Sequence, residues 1–225
     1  MEAGVQDHDH SYKRLFSHPE MMADLLRGFV HEPWVDAADL TTLERASGSY
    51  VSDDLRERED DMVWRVRLKD GWLYIYLLLE FQSSVDQTMS VRILAYLGLL
   101  YQDIIRLGWL AEHRKLPPGV PVVLYNGQER WTAAQTIEQM IEPVASLEAY
   151  RPRLRYLLVD EGSLSQTELA PLGNLAAALF RMENGRTPED VRREVVRLAK
   201  WLSAPEQADL RRAFVLWLKR VLLPA

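Results

Sequence analysis

Cysteine is absent from the 225 residues. Disulfides, thiolate nucleophiles and thiolate zinc sites are therefore all excluded. No stretch offers the ~20 uninterrupted apolar residues that a spanning helix needs. The opening MEAGVQDHDHSYKRLF is polar where a secretory signal would be apolar. These absences predict a soluble, cytoplasmic protein with no membrane partner. No glycine-rich phosphate cradle is present, so neither a nucleotide cofactor nor ATP-driven chemistry is expected. Ser83 and Ser84 lack the glycines of a nucleophile elbow, and His18, His31 and His113 are too scattered for a triad. His8 and His10 alternate near the terminus, where a structural role outweighs metal ligation. Positive charge is also short: the formal net charge is −6, which argues against coating nucleic acid non-specifically but leaves room for a local basic surface.

What is there reads as an α/β or α+β chain. In DMVWRVRL, Met62, Trp64, Val66 and Leu68 alternate with Val63, Arg65 and Arg67, the period of a strand. WLYIYLLLEFQ is almost wholly apolar, as suits a central strand covered on both faces. Before them, Ser17 and Glu20 stand at capping-box spacing ahead of a helical run, and a short strand or an irregular approach is expected around Leu40 to Val51. Asp86 is placed to cap a long helix over about Gln87 to Leu110, apolar nearly all round and so expected to be buried. VPVVLYNGQ and LRYLLVD predict two more strands. Helices follow, one starting at Thr187 and the last near Ser203 and Glu206.

The first two strands provide a ruler. Asp70-Gly71 is a strong signal for a two-residue hairpin loop, which sets Lys69 opposite Trp72 and Asp61 directly opposite Glu80. Opposed side chains share a face with Cβ atoms about 4.5–5.5 Å apart, and Gln82 follows Glu80 on that face. Two such carboxylates repel unless something compensates. A divalent cation with hard oxygen ligands is one answer; water and nearby Arg58 at a solvent-facing strand end are the other. Register matters, since a slip of one residue would replace Asp61 by Asp60 and turn the apolar set outward.

HDHSYKRLF, SGSYVSDDLREREDDMVWRV, YIYLLLEFQSSVDQTMSVRILAYL and PVVLYNGQERW come in an order that resembles the recombination-promoting nuclease (Rpn) and transposase-like family of the PD-(D/E)XK nuclease superfamily. The likeness runs from Asp7 to Trp131 and weakly on to Asp160. It implies a restriction-endonuclease-like mixed sheet flanked by helices in residues 7–160, with a helical C-terminal extension in 161–225. It further implies a magnesium-dependent DNA endonuclease (manganese or another divalent ion being an alternative), with DNA as partner and a role in promoting recombination. Asp61 and Glu80 would hold the metal with the main-chain carbonyl of Phe81, and Gln82 takes the third place of the E-x-Q signature. Two departures stand out. Gln82 replaces the superfamily's usual lysine and adds no positive charge, and Phe81 replaces a frequent histidine. A catalytically silent module of the same fold, binding DNA or a protein, is the competing reading.

Lys13, in the family-like HDHSYK segment, and Arg92, on a narrow polar stripe of its helix, are the accessory phosphate-binding candidates. For Lys13 a solvated lysine weighs equally, and for Arg92 an ordinary ion pair weighs more. Arg192, Arg193, Arg197 and Lys200 are interleaved with Glu189, Asp190 and Glu194 at helix-pair spacing, which favours ion pairs over DNA contact. Leu210, Phe214, Trp217 and Val221 form a stripe that intrachain packing explains; homodimerisation is the sharper alternative.

Overall fold

Alternation and apolar continuity produce the sheet they predict. The structure, a computed structural model, describes residues 10–46, 61–69, 71–80, 85–127, 129–185 and 187–222. Five strands, β1 (Ala38–Arg45), β2 (Asp61–Leu68), β3 (Gly71–Glu80), β4 (Gly119–Tyr125) and β5 (Leu157–Asp160), lie side by side in chain order. β1–β2–β3 pair antiparallel, and β3–β4–β5 pair parallel. The chain is thus α/β with a mixed sheet flanked by helices. It divides into a sheet unit, residues 38–160, and a helical unit that joins residues 1–37 to 161–225.

Within the sheet unit, α4 (Met89–Arg106) and the short α5 (Trp109–His113) cover one face. Ladder parity assigns Val63, Tyr74, Tyr76, Val123 and Tyr125 to that face, where they form one core with Met89, Ile93, Tyr96, Leu97, Leu100 and Ile104 of α4. Gly119 is what lets β4 approach: a Cβ there would stand 2.9 Å from Leu97 and 3.1 Å from the Tyr101 hydroxyl. Trp64, Val66, Ile75, Leu77, Val122 and Leu124, on the opposite parity, are equally buried. β3 is therefore enclosed on both faces, as its unbroken apolar sequence requires.

The hairpin register corrects the expected one. Leu68 pairs with Gly71 and Asp61 with Leu78, so Glu80 lies two residues beyond the position opposite Asp61. Lys69 takes a left-handed φ of 54° where β2 ends, and Gly71 belongs to the strand β3. A slip of two leaves the inside–outside pattern unchanged, so the apolar residues cannot choose between the two registers. Cross-strand partners can. The observed pairing sets Arg67 opposite Trp72, with the Arg67 and Arg65 guanidinium carbons 4.0 and 4.5 Å from that ring's centroid.

The start of α4 also differs from expectation. Asp86 Oδ1 accepts hydrogen bonds from the Thr88 amide (2.8 Å) and hydroxyl (2.7 Å), and Thr88 is the N-cap. Asp86 Oδ2 accepts from Arg92 Nη1 at 2.7 Å. Burial pushes the Asp86 carboxyl up, but the Arg92 and Thr88 hydrogen bonds outweigh it and hold the group below its ordinary 3.8. Nor is α4 buried all round: Val91, Leu94 and Ile105 are exposed.

The helical unit holds a helix over residues 10–16 (α1), α2 (Pro19–Phe29), α3 (Pro33–Ala37), α6 (Gln166–Leu169), α7 (Leu175–Glu183), α8 (Pro188–Trp201) and α9 (Ala208–Trp217). The expected Ser17 capping box does not form. His18 is the N-cap with Pro19 just inside, and the Ser17 hydroxyl donates instead to the Arg14 carbonyl. Thr187 does cap α8, accepting from the Asp190 amide. Helix α9 begins after a 3-10 turn at Pro205–Gln207, not at Ser203. Its Leu210, Phe214 and Trp217 are buried in the chain itself, so this stripe is intrachain core. Arg193 pairs with Asp190 and Arg197 with Glu194, as their spacing predicts.

One buried ion pair ties α7 to α8. Arg181 Nη2 donates to Glu194 Oε2 at 2.9 Å, and Arg181 Nη1 donates to the Leu169 and Leu172 carbonyls at the end of α6. Both side chains are less than a tenth exposed. Arg181→Leu would leave the buried Glu194 carboxyl with the half-exposed Arg197 as an ion-pair partner, so a loss of about 3–5 kcal/mol in urea unfolding is expected. Changing both, Arg181→Met with Glu194→Leu, should restore most of it. For α4, Asp86→Asn keeps an acceptor for Thr88 but drops the charge facing Arg92, costing about 0.5–1 kcal/mol at pH 7. Because the folded pKa is depressed, wild type holds this advantage above about pH 4 and loses it as pH falls through the folded value; melts of both proteins from pH 7 to pH 2 should converge.

Candidate functional site

The two acids singled out by sequence both sit where the β2–β3 ladder reaches its open end. Asp61 is the first residue of β2 and Glu80 the last of β3. Their separation in register is two, an even number, so positions 61 and 80 keep the same parity, that of Val63, Tyr74 and Tyr76 beneath α4. They are diagonal neighbours, not opposed ones. Diagonal positions stand about 7–8 Å apart, within reach of long side chains. Position 80 also pairs with Tyr125 of β4, and Tyr125 with Asp160 of β5, so one row crosses three strands at this end.

Aromatic residues build the wall beside that row. Tyr125 is fully buried and packs edge-on against Trp131, ring centroids 4.8 Å apart. The Trp131 indole donates to the Tyr156 hydroxyl at 3.1 Å, and that hydroxyl donates to the Ala134 carbonyl at 3.1 Å. Burial, reinforced by the charge of Asp86 and opposed by the Trp131 hydrogen bond, pushes Tyr156 up to about 12. It is a neutral phenol at physiological pH and cannot serve as a base. On the helix side, Arg92 Nε donates to the Tyr96 hydroxyl at 3.1 Å, and Tyr96 lies 5.8 Å from Tyr76. Gln87 Nε2 donates to Thr132 Oγ1 at 2.9 Å, pinning the segment before α4 to the strand β4 exit loop.

Arg92 is engaged by Asp86 and Tyr96, the ion-pair arrangement of its two readings. Lys13 belongs to helix α1 of the helical unit, not to the sheet unit that carries Asp61 and Glu80. Phe81 and Gln82 lie outside the described residues, as does Arg58. Among the described residues no group of three or more His, Asp or Glu gathers at a point to hold a metal. No helix among them is long and apolar enough to cross a membrane. The aromatic wall of Tyr96, Tyr125, Trp131 and Tyr156 was not anticipated from sequence. Its one local signal was the i, i+4 spacing of Arg92 and Tyr96.

Comparison with known proteins supplies an independent line. A family model described as "Putative transposase, YhgA-like" matches residues 6–211. The chain is 32% identical over 122 residues to the recombination-promoting nuclease RpnA of Escherichia coli K12, covering 54% of this chain and 40% of that protein. It is 27% identical over 146 residues to the recombination-promoting nuclease RpnD of Escherichia coli O157:H7, covering 64% and 55%. The inactive recombination-promoting nuclease-like protein RpnE of Escherichia coli K12 is 31% identical over 121 residues, covering 54% and 39%. The chain thus spans roughly half the length of these relatives or less. No solved structure matches. With residues 6–211 inside the family model and recombination-promoting nucleases among the proteins it resembles, the chain belongs to the YhgA-like transposase and Rpn family.

Proposed function

We propose that this protein is a metal-dependent DNA endonuclease whose site is built on Asp61 and Glu80. The observation that carries the reading is the even register offset, which puts two acidic positions on one side of the ladder at its open end. The fit to a cation rests on the same geometry. Diagonal positions about 7–8 Å apart suit two carboxylates converging on one ion, because oxygen ligands sit about 2.1 Å from magnesium and waters complete the shell. The names of the relatives add the nuclease assignment at the level of the family.

A divalent ion held there supplies a water of lowered pKa and a positive charge for the phosphoryl oxygen. Asp61 and Glu80 provide the anionic ligands, and the Phe81 carbonyl, next in the chain, provides a neutral one. Gln82 orients the attacking water through its amide; being neutral, it adds no charge to the transition state. Tyr156 stays protonated and contributes shape, not proton transfer. Arg92, already bound to Asp86, acts through the rigidity it lends the start of α4.

Two features favour the second reading, a silent module that retains the fold and binds DNA or protein. Gln82 stands where the superfamily usually has lysine, and RpnE is among the relatives named inactive. Plasmid cleavage separates the two. Wild type with magnesium or manganese should nick or linearise plasmid, and Asp61→Ala or Glu80→Ala should lower the rate by about 100-fold or more. Cleavage untouched by both changes would refute the site, and no cleavage with either metal would favour the silent module. Binding is read separately by thermal melting. Magnesium at 100 times its Kd should stabilise wild type by about 2.7 kcal/mol, and neither alanine variant should gain this.

A further inference from the structure

Helix α4 has two apolar faces, and one of them is used. Ile93, Tyr96, Leu97, Leu100 and Ile104 point into the sheet core. On the outward side Val91, Leu94 and Ile105 are 46%, 36% and 43% exposed, and Leu107 and Leu110, just past the helix, are 49% and 36% exposed. Ala95, Gly98 and Gln102 complete this face, which carries no charge until Arg106, itself paired with Asp103.

Gly98 is the telling residue. It sits in the interior of an 18-residue helix, where glycine is among the poorest formers. A Cβ added there would meet no atom within 4 Å, so packing within the chain gives no reason for its absence. Close approach of something from outside gives one.

We propose that the outward face of α4 is the contact of a homodimer, in which a second copy lays its own α4 antiparallel across the first about a two-fold axis at Gly98. Counted from Gly98, Leu94 and Gln102 lie four residues to either side, and Val91 and Ile105 lie seven. The two-fold pairing therefore sets Val91 against Ile105 and Leu94 against the aliphatic stem of Gln102. The two glycines let the helix backbones meet, as small residues do at isologous contacts. The exposed face amounts to roughly 500 Å² per copy, in the upper part of the ~300–600 Å² that the largest and often functional apolar patch of a monomer spans. Two copies together bury about 1,000 Å², the lower bound for a specific interface. Lack of charge argues against DNA or an acidic partner here. A membrane is disfavoured too, because an interfacial helix carries a basic face opposite its apolar one, whereas the other face of α4 is core.

The interface does not depend on the nuclease reading, and its test is blind to activity. Light scattering on the full chain should give a concentration-dependent mass approaching twice 26.0 kDa. Leu94→Glu and Ile105→Glu should each weaken association by about tenfold or more without lowering the melting temperature of the monomer. Gly98→Ala should raise that melting temperature and still weaken pairing. Because the chain has no cysteine, Gly98→Cys is a clean probe. It should form a disulfide-linked dimer under mild oxidation, since a bridge needs Cα atoms within about 7 Å. Val196→Cys, exposed on α8, should not. A wild type that stays monomeric, association that survives both glutamates, or equal cross-linking at 98 and 196 would each overturn the proposal. So would binding of wild type to neutral or anionic vesicles that Leu94→Glu abolishes.

Discussion

Everything in the sheet unit hangs on the backbone pairing of β3. It is hydrogen-bonded antiparallel to β2 on one side and parallel to β4 on the other, with apolar side chains buried on both faces. In such a setting an unpaired amide or carbonyl would go unsolvated, which costs far more than any side-chain preference can return. The strand must therefore be paired along its length. That requirement brings Glu80 to the end of the ladder beside Tyr125 and Asp61 to the start of β2 on the other side. The candidate site is a consequence of where the enclosed part of the sheet stops.

α4 supplies the second constraint. Tyr76, Tyr96, Tyr125 and Trp131 pack at the end of the sheet where its first turn lies, and Asp86 with Arg92 fixes the angle at which the chain enters the helix. The polar atoms of this wall are largely satisfied among themselves, through the Trp131–Tyr156–Ala134 chain and the Arg92–Tyr96 contact. A network closed in this way rigidifies its surroundings and leaves few groups to titrate. The same helix turns the exposed apolar residues Val91, Leu94 and Ile105 outward, away from the sheet core.

The helical unit obeys a different logic. Its elements are joined by buried and part-buried polar contacts at helix ends. Asp24 of α2 accepts from the Leu175 amide at the start of α7, Asn174 donates back to the Asp24 carbonyl, and Arg181 closes the end of α6. Gly28 makes room for the Asn174 amide, 2.9 Å from where its Cβ would lie. These links are specific because each pairs a buried or part-buried donor or acceptor that folding has withdrawn in whole or in part from water.

Much of this was written in the sequence. Strand alternation and the apolar run fixed β2, β3 and the two faces they present, because a side-chain period of two follows from the pleat alone. The same parity put positions 61 and 80 on one side whichever even register was taken. What the pattern could not choose was which even register. Apolar alternation repeats itself at every slip of two, so the choice fell to cross-strand partners, with Trp72 set between Arg65 and Arg67, and to a turn that Lys69 enters in place of Gly71. Periodicity likewise made α4 apolar all round but was silent on which side the sheet would cover, and it gave Arg92 two readings until Asp86 was seen within 2.7 Å. Local rules act on neighbours in the chain and determined the elements. Contacts between residues far apart in sequence decided the register, the exposed face and the partners, because only folding brings those groups within interaction range.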